Sequence, residues 1–276
     1  LQALSQTDLV PDAIIGTSAG ALTGAIMAED LASGVNRIAY VWGQIGMSHL
    51  VGEKWLTRGL GSVRSPGLVS HETEVETLKS ILRTERIEDL EVEFAAVATD
   101  LATGRPHVFD SGPLIAALLA SSAIPGVLPP VMIHDRLYID GLASANLPAV
   151  PAVERGAGSI VVLDTGTREV GEVETSAAKV LARVAVIMAM SQRRRQLRDA
   201  AAEVPVLLLP TPADLGGTLE FGNTMRAGAA GYSMTRAFLS DLACEHRRQL
   251  GRGIYARPDD HGLTPDLEPM LKAVPG

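Results

Sequence analysis

One cysteine, Cys244, is present in 276 residues, so an internal disulfide is impossible. A lone thiol fits a reducing compartment. Aromatic residues are scarce, at 4% of the chain. The core must therefore be built from Ala, Val, Leu and Ile. Positive charge is also in deficit: 24 Lys and Arg stand against 32 Asp and Glu, a net charge of -8. That balance argues against nucleic acid as the main partner, although a local basic patch leaves a membrane surface open. Long apolar runs are missing too. The longest helical one, Val180 to Met190, contains Arg183 and is too short to span a bilayer. No secretory signal is visible, so the expected location is cytoplasmic, with peripheral membrane contact left open. There is no HExxH, CxxC, EF-hand run, Walker A or GxGxxG pattern. No cofactor and no metal are expected, and oligomeric state is not legible.

What is present is an ordinary globular balance, with 46% apolar and 20% charged residues. Ala13 to Ile15 reads as a buried strand, followed by a helix from Ala19 to Ser33 and a second from Val35 to Met47. Gly52 to Gly67 reads as a loop. Ser70 is the expected N-cap of an amphipathic helix ending near Arg83. Strands are expected at Val92 to Ala98 and His107 to Phe109, and a helix at Leu114 to Ser122. Val131 to Ile139 reads as two strands around the turn His134-Asp135-Arg136. Pro148 marks a helix start. A strand at Ser159 to Leu163, a long helix or a broken pair over Glu174 to Ala202, a strand at Val204 to Leu209 and a helix from Thr224 to Leu250 complete the order. This alternation predicts an α/β fold, with a mainly parallel central sheet flanked by helices. One domain is expected: a core over 1–165, completed by 166–250, with a loose tail over 251–276. The opening LQALSQTDLVPD reads as a helix end plus a turn, which predicts further fold residues upstream of Leu1.

The motif with chemical content is Gly16-Thr17-Ser18-Ala19-Gly20. It follows an apolar strand and opens a helix, the setting of a nucleophile elbow. Glycines on both sides are expected to remove side chains that would collide with the strand and helix. The helix N-terminus offers N–H groups without intrahelical partners, which favour developing negative charge. A serine needs a base. None of the six histidines (His49, His71, His107, His134, His246 and His261) sits in a convincing motif. Asp140 closes the apolar stretch Leu137-Tyr138-Ile139 and precedes Gly141, so its carboxylate can point into a cleft.

Gly16 to Gly20 and Asp140-Gly141 together resemble the patatin-like phospholipase pattern, of the bacterial and neuropathy-target-esterase-like kind. Ala120-Ser121-Ser122-Ala123-Ile124-Pro125-Gly126, Ala98-Thr99-Asp100-Leu101 with Thr103-Gly104, and Asn146-Leu147-Pro148 fit the same pattern in order. The resemblance covers about residues 1–165. It implies a three-layer patatin-like fold and a Ser–Asp dyad without a catalytic histidine. Ser18 would form an acyl-enzyme, and Asp140 would act as base. Phospholipids or lysophospholipids are the implied substrates. Two departures stand out. Leu142 replaces the usual Gly or Ala of the aspartate motif. The family's glycine-rich oxyanion loop, with its basic residue, is expected upstream of Leu1 and is absent from this chain. Within the chain, the Ala19 backbone N–H is the candidate oxyanion donor.

Three other readings use the same sequence. They are an esterase with a Ser–His–Asp triad, a lipid-binding or regulatory module on the same fold, and acyl transfer to an alcohol. The helix carrying Val180, Leu181, Val184, Ile187, Met188 and Arg193-Arg194-Arg195 reads either as a core helix with a solvated basic end or as an amphipathic, lipid-contacting helix or lid. Trp42 and Trp55, with Met47 and Leu50, read as packing or as an acyl-pocket lining. Asp100 and Asp110 read as turn or capping residues.

Overall fold

A computed structural model describes residues 1–44, 71–164, 177–212, 224–245, 250–257 and 267–274. Gly52 to Gly67, Ser70, Met47, Leu50 and Trp55 lie outside the described residues. The chain divides into two compact units, Val10–Asn146 and Leu1–Leu9 with Leu147–Gly276.

In the first unit β1 (Ala13–Thr17) leads into α1 (Ala19–Glu29) and α2 (Leu31–Gln44). After α3 (Glu72–Ile81) come β2 (Glu93–Asp100), β3 (Pro106–Phe109) and α4 (Leu114–Ser122). The unit closes with the hairpin of β4 (Val131–Ile133) and β5 (Arg136–Asp140). The turn of that hairpin holds His134 and Asp135 at φ 47° and 60°, a two-residue connection whose twist suits the paired strands. As the lack of aromatics predicts, most of the core is Ala, Leu, Val and Ile. Phe94, Phe109 and Tyr138 are the aromatic members of its buried cluster.

One boundary differs from the sequence reading. The first helix stops at Glu29 rather than Ser33, because Asp30 leaves helical geometry (φ -164°) and caps α2. Its carboxylate accepts the Ser33 N–H at 2.9 Å and the Ser33 hydroxyl at 2.6 Å.

The sheet of this unit is mixed, not mainly parallel. β1 runs parallel to β2, while β3 and β5 run antiparallel to it and β4 pairs with β5. The register explains how the site forms. Val97 pairs with Thr17 and Val108, and Ala98 pairs with His107 and Asp140. A strand residue has only two edges. β3 occupies one edge of β2, so β1 and β5 share the other, meeting end to end. The last residue of β1 and the last residue of β5 therefore face consecutive residues of β2.

The second unit holds α5 (Ala149–Glu154), β6 (Ile160–Val162), α6 (Ala177–Glu203), β7 (Pro205–Leu208), α7 (Thr224–Glu245), β8 (Gly253–Ala256) and β9 (Leu271–Ala273). Its sheet is wholly parallel, in the order β6-β7-β8-β9. The parallel arrangement expected from the strand–helix alternation is found here. Leu147, Leu197, Val206, Leu208 and Ile254 fill its centre. The expectation of a loose chain end does not hold for β8, which is buried throughout and hydrogen-bonded between β7 and β9. Apolar Ile254, Tyr255 and Ala256 supply the burial that outweighs the flanking Gly and Pro. On α6, Val180, Val184, Ile187 and Met188 are exposed rather than in the core, and Arg193 is buried against Asp164 rather than solvated.

Candidate active site

Ser18 sits between β1 and α1 with φ 54° and ψ -124°. A non-glycine residue in that region stores about 1–3 kcal/mol of strain, which the surroundings must hold. They do so from two sides. The Ser18 N–H donates to Ser121 Oγ at 2.9 Å, and Ser121 Oγ–H donates to the Val97 carbonyl at 2.7 Å. The Ser18 carbonyl accepts from the Ala21 and Leu22 N–H groups of the first turn of α1.

The two motif glycines are not equivalent. A Cβ on Gly16 would lie 2.4 Å from the Gly20 carbonyl oxygen, so the tight turn excludes any side chain there. A Cβ on Gly20 would meet nothing within 4 Å. The expected collision applies to Gly16 alone. The Ala19 N–H stands at the first helical position, where no intrahelical acceptor exists.

Asp140 ends β5 and is 1% exposed. The Ser18 side chain stands close enough to lower the pKa of its carboxyl. Oδ1 accepts the Leu142 N–H at 2.8 Å, across the short 3-10 turn Gly141–Ala143. The contact is made by backbone, so the larger Leu142 side chain does not prevent it. Gly141 lets the turn press against the ends of β1 and β2: a Cβ would lie 2.5 Å from the Val97 carbonyl oxygen and 2.7 Å from Thr17 Cγ2. Burial pushes the Asp140 carboxyl up to about 6; the bond from Leu142 and the Ser18 side chain oppose the rise, and the charge of Glu74 adds to it.

Around the pair, Thr17 Oγ1 donates to the Ala145 carbonyl at 2.8 Å. Thr99 Oγ1 donates to the Asp140 carbonyl at 2.9 Å and lies 2.7 Å from Ser144 Oγ. These bonds lace the turn after Asp140 onto β1 and β2. The end of α4 reaches both halves of the site. Ser121 holds the Ser18 amide, and the Ala123 carbonyl accepts the Asp140 N–H at 2.9 Å. The supporting roles of Ser121, Thr99 and Ser144 escape a sequence reading; the only signal was that Thr99 and Ser121 fall inside ordered motif segments.

The histidines lie elsewhere or are otherwise engaged. Both His71 nitrogens face acceptors, Glu74 and Pro129. The His107 ring packs against Phe109 and Tyr138, and His134 lies in the hairpin turn. His49, His246 and His261 lie outside the described residues. Asp100 is a turn residue: it accepts the Ala102 and Thr103 N–H groups and pairs with Arg136 at 2.7 Å. The hydrogen bond from Thr103 leads in holding its carboxyl below the usual range, with Arg136 and Ala102 adding. Asp110 accepts a 3.3 Å hydrogen bond from Ser111. Trp42 packs on the core and donates to Thr23 Oγ1 at 3.2 Å. No helix among the described residues is long and apolar enough to cross a membrane.

The profile of the family described as patatin-like phospholipase matches residues 1–153. An uncharacterized NTE family protein of Mycobacterium tuberculosis is 30% identical over 183 residues, which is 66% of this chain and 48% of that protein. Patatin-like phospholipase domain-containing protein 7 of Mus musculus is 31% identical over 173 residues, 61% of this chain and 12% of that protein. Lysophospholipase NTE1 of Cryptococcus neoformans is 31% identical over 172 residues, 60% of this chain and 10% of that protein. The matched region thus spans about half the length of the mycobacterial relative and about a tenth of the other two.

Proposed function

The chain belongs to the patatin-like phospholipase family, and from that premise we propose that it is a serine hydrolase of lipid acyl esters, acting through Ser18 and Asp140. Phospholipids or lysophospholipids are the substrate class, as the names of the relatives suggest. The observation that carries the reading is the approach of the strained, half-buried Ser18 to the buried Asp140 carboxyl, close enough that its side chain lowers the carboxyl pKa. An ionised Asp140 takes the Ser18 proton as Oγ attacks the ester carbonyl. The proton then passes to the departing alcohol, leaving an acyl-serine. Water attacks that ester, Asp140 takes a proton from it, and the fatty acid leaves as Ser18 is reprotonated. The Ala19 N–H faces the charge that develops on the carbonyl oxygen. The same residues would serve transfer to another alcohol.

A purely lipid-binding module is less well supported. A carboxyl buried to this degree and raised to about 6 disfavours folding at neutral pH, and binding alone gives no reason to keep it. Peripheral contact with a lipid surface belongs to the same proposal, as does the reading of residues 1–165 as the catalytic core, completed by 166–250. The test is hydrolysis of a lysophospholipid and labelling by a fluorophosphonate. Ser18→Ala should abolish both. Asp140→Asn should abolish turnover, and the wild-type rate should fall as pH drops through about 6, where Asp140 takes up a proton. Unchanged turnover in Asp140→Asn, with loss in a histidine variant, would replace this reading with a triad.

A further inference from the structure

A pair of titratable side chains, buried Glu74 and half-buried His71, that the proposed reaction leaves unused stands next to the groups that hold the site. Glu74, near the start of α3, is 5% exposed. Its Oε1 accepts the Ser122 hydroxyl at 2.6 Å, and its Oε2 lies 3.0 Å from His71 Nδ1. His71 Nε2 lies 2.8 Å from the Pro129 carbonyl oxygen. Ser122, the last residue of α4, falls between the two residues that grip the site, Ser121 on the Ser18 amide and Ala123 on the Asp140 amide.

Counting protons decides what this cluster does. A carbonyl oxygen only accepts, so Nε2 must carry a hydrogen. The Nδ1···Oε2 contact needs a second hydrogen, because a carboxylate also only accepts. A neutral imidazole has one. With that hydrogen on Nε2, the Nδ1 lone pair faces a carboxylate; with it on Nδ1, the Nε2 lone pair faces a carbonyl. Either way one of the two contacts turns repulsive when the pair loses its extra proton. The hydrogen bond to Glu74 holds the His71 pKa above its ordinary value; burial opposes this, while the Pro129 carbonyl and the Glu74 charge assist.

Among the described residues, Asp140 at the end of β5 couples with the charge of Glu74, and exposed Glu72 and Glu76 lie on α3 itself with Lys79 in its last turn. Neither α4 nor the 124–130 segment carrying Pro129 contains a titratable residue.

We propose that His71 and Glu74 form a proton-dependent clasp on the end of α4 that positions Ser18 and Asp140. With the second proton present the clasp ties α3, α4 and the segment before β4 together. When that proton leaves, Ser122 and Pro129 are no longer both held, and the grip of Ser121 and Ala123 on the two site amides loosens. The inference rests on the Ser18–Asp140 reading and adds a positioning pair to it. It gives activity two limbs: an acid limb from Asp140 and an alkaline limb from a histidine that never touches Ser18.

The test uses the full chain in two independent arms. In the first, nuclear magnetic resonance follows the His71 ring and the Ser18 and Asp140 amide signals from pH 5 to 9 in the wild type. The expected result is that both amides shift with the His71 midpoint, and that Glu74→Gln lowers that midpoint. In the second arm, p-nitrophenyl butyrate hydrolysis is profiled over the same range. Glu74→Gln and His71→Gln should lower kcat by about tenfold with little change in KM. Both should lose the wild-type alkaline limb, and Glu74→Gln should also move the acid limb to lower pH by removing a charge near Asp140. A merely structural role would scale the rate equally at every pH. Wild-type Ser18 and Asp140 amides that ignore His71, or an unaltered alkaline limb in His71→Gln, would overturn the clasp. Hydrolysis that survives Ser18→Ala would instead remove the dyad reading, and the amide titration would still decide the clasp.

Discussion

At the scale of single residues, the two groups of the proposed dyad carry marks in the sequence and the residues that hold them do not. Ser18 and Asp140 are marked by glycines whose absent side chains have a steric reason at Gly16 and Gly141. Ser121, His71 and Glu74 carry no such mark. Their meaning comes from a hydroxyl meeting an amide, or an imidazole meeting a carboxylate, across long stretches of chain. No local pattern encodes that. Asp140 also makes a stability prediction. Its carboxyl rises from 3.8 to about 6 on folding, so the folded state binds the proton more tightly than the unfolded state. Stability therefore falls as pH climbs through that window. The burial costs up to about 3 kcal/mol at neutral pH and nothing below the unfolded value. Asp140→Asn should raise the urea midpoint at pH 7.5, while the difference from wild type shrinks towards pH 4.

At the scale of elements, types were readable and some ends were not. The helix over Leu114–Ser122 and the two strands around the His134–Asp135 turn follow directly from apolar runs and turn residues. The break between α1 and α2 was misplaced because the apolar pattern continues across it. A carboxylate at Asp30 ends one helix and begins the next through Ser33. A cap with both its backbone and hydroxyl bonds in place contributes measurably to a helix start. Asp30→Ala should lower the melting temperature by a few degrees and leave turnover near wild type, since α2 does not enter the site. A melting curve and an assay on the same preparation check both halves.

At the scale of the molecule, the α/β class was legible from the alternation of strands and helices. The mixed sheet of Val10–Asn146 was not, because strand direction depends on pairing rather than on local composition. The shared edge of β2 is the clearest case. β1 comes from the beginning of that unit and β5 from its end, and they abut opposite Val97 and Ala98. Joining them closes most of the unit into one loop, which is a slow and costly step for a folding chain. After dilution from urea, hydrolysis should therefore recover later than far-ultraviolet dichroism; simultaneous recovery would contradict this order. The seam between the two strand ends thus doubles as a checkpoint. A nascent or half-refolded chain would carry both groups of the proposed dyad yet stay inert, and the proposed ester hydrolysis would be switched on only by the final closure of its own backbone.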